Sequence, residues 1–272
     1  MTVSDTGFDL GPAILFCPAD RPERYDKAIE RADAVILDLE DAVAADVKDA
    51  ARTALVGHPL DPDRVIVRVN GFATDAFEAD LAALRKTSYT RIMLPKTSGA
   101  SELDALRGYE VIALCETAAG ILAAPQIAAS PHVVALMWGA EDLVASLGGT
   151  SSRREDGEYR DVARFARSTV LLAAAANDTA VIDSVYLDIP DVAGLAAEAR
   201  DAAAVGFAAT ACIHPSQVAV IREAYAPTPA QVERARALLA AAAGEHGVFT
   251  FEGQMVDEPV LRHARNVLAR AR

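Results

Sequence analysis

The sequence predicts a single (β/α)8 TIM barrel, on three observations. Apolar strand-like runs alternate with amphipathic stretches, eight such runs occur, and no glycine-rich phosphate-binding turn follows the first. Alternation of this kind marks βαβ units, whose right-handed crossovers leave either an open doubly wound sheet or a closed barrel. Eight strands without the glycine fingerprint select the barrel. A chain of 272 residues, 52% of them hydrophobic, can bury a core of that size.

The first strand, at 13–17, is apolar throughout, as a strand covered on both faces must be. An amphipathic stretch at 24–32 follows. The second strand spans 34–40 and closes on the acids Glu40 and Asp41; its helix lies at 47–55. The third, 65–69, is interrupted by Arg68 and is followed by a helix at 76–86. A strand at 91–95 and a short helix at 101–106 come next. The fifth strand, 111–115, ends on Glu116 and precedes a helix at 121–129. The sixth, 133–138, runs into Gly139, Ala140, Glu141 and Asp142. The polar, glycine-bearing segment 148–159 then stands where an active-site lid is expected. A helix at 161–176, a strand at 181–187, a helix at 191–204 and a strand at 209–213 complete the repeat. Helices near 229–243 and 260–271 flank residues 247–259. We expect a catalytic barrel over 1–225 and an extension or lid over 226–272 that folds over the barrel mouth or a neighbouring subunit.

Thirty-nine acidic residues against 26 basic ones give a formal net charge of -13, which excludes nucleic acid as the main partner. A phosphorylated ligand needs only a local basic patch. Cys17, Cys115 and Cys212 are dispersed within or at the ends of apolar runs, as free thiols in a reducing compartment would be. No basic segment leading into an apolar core opens the sequence, and no run approaches a membrane span. A cytoplasmic protein without a membrane partner is expected.

In a barrel the carboxyl ends of the strands face the active site. Here they deliver Asp20 and Arg21, Glu40 and Asp41, Arg68 and Asn70, Lys96, Glu116, Glu141 and Asp142, Asp188, and His214. A purely structural barrel gains little from gathering mutually repelling carboxylates. Glu116 and Asp142 suit Mg2+, a hard cation that takes one or two carboxylates and leaves positions for water and substrate; singly, each also reads as a helix-cap neighbour. Glu40 and Asp41 either orient metal-bound water or complement a helix dipole. Arg68 seeks a bidentate anion, an ion pair with Glu40 or Asp41, or both. Arg21, Arg24 and Lys27 either contact phosphates or form a solvated helix face. His214 is either catalytic or a hydrogen-bonded structural histidine.

The segments Leu15-Phe16-Cys17-Pro18-Ala19-Asp20-Arg21-Pro22-Glu23-Arg24 and Val35-Ile36-Leu37-Asp38-Leu39-Glu40-Asp41-Ala42-Val43 resemble the citrate lyase β-subunit-like family. Arg68-Val69-Asn70, Leu94-Pro95-Lys96, Glu116-Thr117, Gly139-Ala140-Glu141-Asp142, Ile213-His214-Pro215-Ser216-Gln217 and Gly253-Gln254-Met255-Val256-Asp257 follow in that family's order. The resemblance covers essentially the whole chain and points to the stand-alone actinobacterial citrate-lyase-β-like proteins. One departure is Ala209-Thr210-Ala211-Cys212, where many relatives carry a glycine-lysine pair just before Ile-His-Pro, so the resemblance does not carry a coenzyme A contact over to this position. What the resemblance implies is a homotrimeric, Mg2+-dependent β-hydroxyacyl-CoA lyase performing retro-aldol cleavage. Malyl-CoA, citramalyl-CoA and 3-hydroxy-3-methylglutaryl-CoA are the candidate substrates. Glu116 and Asp142 would be the metal ligands, Arg68 a substrate-orienting arginine, and Asp257 an acid/base reaching an adjacent subunit's site. A pyruvate-type class II aldolase and a citryl-lyase subunit of a citrate lyase complex are the alternatives.

Overall fold

The computed structural model describes residues 8–245 and 247–271. Eight parallel strands close into a barrel in sequence order, β1 pairing with β8. They are β1 (Ala13–Pro18), β2 (Ala34–Asp38), β3 (Val65–Arg68), β4 (Arg91–Leu94), β5 (Glu110–Cys115), β6 (Val133–Trp138), β7 (Ala180–Asp183) and β8 (Ala209–Cys212). The helices between them are α1 (Tyr25–Arg31), α2 (Lys48–Gly57), α3 (Ala76–Leu84), α4 (Ala118–Ala128), α5 (Ala140–Ser146), α6 (Asp161–Ala176) and α7 (Val192–Val205). After β8 come α8 (Pro215–Tyr225) and α9 (Pro229–Ala242), a hairpin of β9 (Phe249–Phe251) and β10 (Gln254–Val256), and α10 (Glu258–Arg270).

Side chains alternate along each strand, so one set fills the barrel and the other meets the helices. Ile14, Ile36, Ile66, Ile112, Leu114, Met137 and Ile182 form the interior. Leu15, Leu37, Val67, Ala113, Trp138 and Val181 pack outward in the layer beneath the helices. Continuing the inward series by two residues reaches Asp38 above Ile36, Arg68 above Ile66, and Glu116 above Leu114. The chemistry at the mouth is thus set by strand parity.

Several elements differ from the sequence expectation. The second strand stops at Asp38, because Asp38 turns its carboxylate onto the backbone N–H groups of Glu40 and Ala42 and ends the ladder. The seventh strand ends at Asp183, and the stretch expected to continue it to 187 is irregular. Residues Ala100–Leu106 form a 3-10 helix. Two helices, α5 and α8, were not anticipated. The first has only seven residues, too few for a periodic signal. The second begins at Pro215, in the first-turn position that proline favours, behind a capping box made by His214 and Gln217. The 247–259 segment contains the β9–β10 hairpin.

Beyond α8, Ala235, Leu238, Val256 and Ala264 form a small apolar cluster of their own. Arg270 fixes the end of α10 to the barrel by donating to the Ala203 carbonyl of α7 (2.5 Å). All three cysteines are free and buried. Among the described residues, no helix is long and apolar enough to cross a membrane.

Candidate active site at the carboxyl end of the barrel

A cavity of about 260 Å3 opens at the carboxyl ends of the strands. Phe16, Leu114, Met137, Val185, Leu187 and Ile213 give it an apolar wall, and Asp38, Asp41, Arg68, Glu116, Asp142 and Ser184 a polar one. Asp38 and Arg68 are register partners on β2 and β3. That adjacency makes their ion pair bidentate, with Nε donating to Oδ1 (2.7 Å) and Nη2 to Oδ2 (2.5 Å). Arg68 Nη1 lies 2.8 Å from Glu40 Oε2, a charge contact; that oxygen is buried and accepts no hydrogen bond. Burial opposes the charge of Arg68, but its bonds to Asp38 and the nearby carboxylates hold the guanidinium firmly protonated.

Lys96 connects the remaining acids. Its backbone is left-handed (φ 53°), a conformation costing a non-glycine residue about 1 kcal/mol or more. That turn aims its N–H at Glu116 Oε1 (3.0 Å). Its ammonium meets Glu40, Asp41 (3.0 Å) and Asp142 (3.6 Å). Burial disfavours the charge of Lys96, yet Glu40 and Asp41 raise its pKa. Burial raises Glu40 in turn. For Asp41 the burial effect is outweighed by Lys96, and the carboxyl is held below its usual range.

Glu116 is almost fully buried after β5, where Thr117 caps α4 through the Gly120 N–H. Burial, then the Asp142 carboxylate, pushes its pKa up to about 8. Two acids whose charges bear on each other in this way call for a cation. Asp142 sits in the first turn of α5, with 41% of its side chain exposed. Among the described residues no three His, Cys, Asp or Glu side chains form a ready-made cage. The donor set is therefore two carboxylates with open positions, which fits Mg2+ better than a metal needing four protein ligands. Gly139 keeps room for it, since a Cβ there would stand 2.6 Å from Glu116 Oε2. Gly139→Ala should displace the Glu116 carboxylate and weaken Mg2+ binding about tenfold or more with little loss of fold stability. Calorimetric titration with Mg2+ and a thermal melt would check both; unchanged affinity would remove Glu116 from the ligand set.

The other expected site residues fall in different places. Arg21, Arg24 and Lys27 are exposed in the segment after β1 and do not line the cavity. His214 is the exposed N-cap of α8, its Nδ1 engaged with Ser216, so the structural alternative describes its placement. Asp257 caps α10 by accepting from the Val260 N–H (3.3 Å) and lies outside its own chain's cavity. Asn70 donates to the Leu39 carbonyl and to Asp80, bracing the β3 end. The 148–159 segment does not line the cavity either, which corrects the expected lid. Asp38, Ser184 and Gly139 went unassigned in the sequence. The signal for Asp38 was its parity with Ile36.

A family model described as HpcH/HpaI aldolase/citrate lyase matches residues 13–215. The chain belongs to this family. Membership in the HpcH/HpaI aldolase/citrate lyase family makes it an enzyme of the carbon–carbon lyase class. A citrate lyase subunit beta-like protein of Mycobacterium tuberculosis is 58% identical over 261 residues, 96% of each chain. The human mitochondrial citramalyl-CoA lyase is 33% identical, covering 95% of this chain and 85% of the relative. A (3S)-malyl-CoA thioesterase of Cereibacter sphaeroides is 36% identical, covering 95% and 94%. Among solved structures, the M. tuberculosis protein CitE in complex with magnesium, acetoacetate and coenzyme A superposes with a TM-score of 0.93 at 58% identity. The match covers 96% of this chain and 98% of that one.

Proposed function

We propose that this chain is a Mg2+-dependent β-hydroxyacyl-CoA lyase that cleaves its substrate to acetyl-CoA and a keto acid. The observation that carries the reading is the meeting of Glu116, Asp142 and Arg68 at one cavity of the barrel mouth. The ligands of the M. tuberculosis structure, magnesium, acetoacetate and coenzyme A, support it. Names among the relatives differ in acyl group, so the choice of substrate rests on the cavity. Its six apolar side chains favour a methyl-bearing keto acid. Citramalyl-CoA, yielding pyruvate, and 3-hydroxy-3-methylglutaryl-CoA, yielding acetoacetate, should therefore exceed malyl-CoA by about tenfold or more in kcat/KM, the worth of one buried methyl group.

Held by Glu116 and Asp142, Mg2+ would supply Lewis-acid polarisation of the substrate's oxygens. Arg68, locked by Asp38, presents its guanidinium to the cavity and stabilises the anionic oxygen that develops. Glu40 and Asp41, gathered by Lys96, hold a water beside the substrate hydroxyl. The hydroxyl gives its proton to the water held by Glu40 and Asp41 and becomes a carbonyl, while the bond to the α-carbon breaks and its electron pair forms the thioester enolate. The partner's Asp257 then protonates that enolate. This assignment needs an assembly in which the 226–272 extension of one subunit serves the 1–225 barrel of the next; a homotrimer in the cytoplasm is our reading. The exposed Arg21, Arg24 and Lys27 are left for the phosphates of coenzyme A.

Incubation with Mg2+ and each acyl-CoA, with products identified by mass spectrometry, tests the reading. Acetyl-CoA with pyruvate or acetoacetate is expected, and Asp257→Asn should lower kcat ~10²–10⁴-fold. Release of free coenzyme A with an intact hydroxy acid would mark a thioesterase. Cleavage of free aldols without coenzyme A would mark a pyruvate-type aldolase, although His58, the first histidine, follows α2 and does not line the cavity. Co-purification with an acyl-carrier subunit would mark a citrate lyase component. Failure to cleave any of the three thioesters would sink the proposal.

A further inference from the structure

The segment 148–159 is fastened to the barrel at two points. Ser152, buried, donates to Glu141 (2.5 Å), the immediate neighbour of Asp142 on α5. Arg153 lays its guanidinium over the Tyr159 ring, 3.8 Å from the centroid, and faces the Tyr186 ring at 4.9 Å. Glu198 of α7 lies 2.9 Å from Arg153 and also accepts from the Tyr159 hydroxyl (3.0 Å). Tyr186 is itself fixed, its hydroxyl donating to Asp191 and its carbonyl accepting from Gln217. The residues on either side of it, Val185 and Leu187, line the active-site cavity. Tyr159 in turn packs edge-on against Trp138 at the end of β6.

Ser152 and Arg153 together therefore join two walls of the cavity from behind: Ser152 holds the α5 turn that carries Asp142, and Arg153 the 184–187 segment. We propose that Arg153 is a positioning residue that fixes the spacing of these two walls and so seats the keto-acid half of the substrate. The role rests on the lyase reading of the site. A planar cation with two usable faces suits the slot between two tyrosine rings, and a lysine ammonium does not. A cavity of about 500 Å3 outside the barrel adjoins this cluster. Its arginines, Arg153, Arg164 and Arg167, are all paired with acids, so the cluster is built to hold the chain and not an anion.

Hydrogen exchange on full-length Arg153→Gln and Arg153→Lys tests this, together with steady-state kinetics on whichever acyl-CoA the wild type cleaves. Exchange should quicken about tenfold in both 148–159 and 184–191. KM should rise about tenfold while kcat changes less than about threefold. Lysine should not rescue. Faster exchange confined to 148–159, or an unchanged KM, would overturn the proposal. If Arg153→Gln does not fold, Glu198→Gln removes the ion pair while keeping a hydrogen-bonding group. It should shift the same two segments in the same direction, and no shift at 184–191 would overturn the proposal. If the wild type cleaves no acyl-CoA, the lyase reading fails, and exchange at 184–191 still decides whether Arg153 ties the walls.

Discussion

Glu116→Gln is expected to abolish Mg2+ binding and to lower kcat/KM by ~10³-fold or more, the scale of losing a buried charge that stabilises the transition state. Glutamine keeps the shape and the hydrogen bond from the Lys96 N–H but removes one of two anionic ligands. The wild type carries its own pH signature. Burial and Asp142 push the Glu116 pKa from 4.5 up to about 8 in the metal-free protein. Mg2+ must displace that proton, so affinity should climb as pH rises toward about 8 and then level off. The stability effect has the opposite sign. Between the unfolded and folded pKa values the native state holds more protons than the unfolded chain, so metal-free stability falls as pH rises through that window. Saturating Mg2+ should restore it. Calorimetric titrations and thermal melts from about pH 6 to about pH 9 would show both trends. An affinity flat across that range would remove Glu116 from the ligand set.

Arg68→Met should destabilise the fold by about 3–5 kcal/mol, the cost of leaving one member of a buried ion pair alone. The partner left unpaired is Asp38, which is fully buried. Combining Arg68→Met with Asp38→Asn removes the orphaned charge, keeps an acceptor for the Glu40 and Ala42 N–H groups, and should recover part of that stability in a denaturant titration, while activity stays lost. Arg68→Lys keeps a charge but cannot reproduce the two parallel bonds to Asp38, and should cost ~10²-fold in kcat/KM. Turnover regained in the double variant would reduce Arg68 to a structural role.

The barrel was legible because most strands announce themselves by an apolar run, and the alternation admits few topologies. The strand ends were legible for the same reason: Glu116 and Asp142 stand where a hydrophobic run stops. Asp38 was not, because it lies inside its run and was passed over for the more exposed acids at 40 and 41. Its role depends on the cross-strand register with Arg68, which no single segment carries. His214 illustrates a different gap. A histidine before Pro215 reads equally as catalyst or cap until the helix it starts is seen. The 148–159 segment has the glycine and polar content of a mobile cover. Part of what fastens it, Glu198 and Tyr186, lies more than 25 positions away in the chain, beyond the reach of local pattern.

Lys96 bears on how this enzyme is made. Its ammonium gathers Glu40, Asp41 and Asp142. Repulsion among acids drawn from β2 and β6 is thus answered from within the polypeptide. An arriving ion finds its acidic neighbours already assembled, and capture asks for exchange of one cation's neighbours for another's, with no refolding of the barrel.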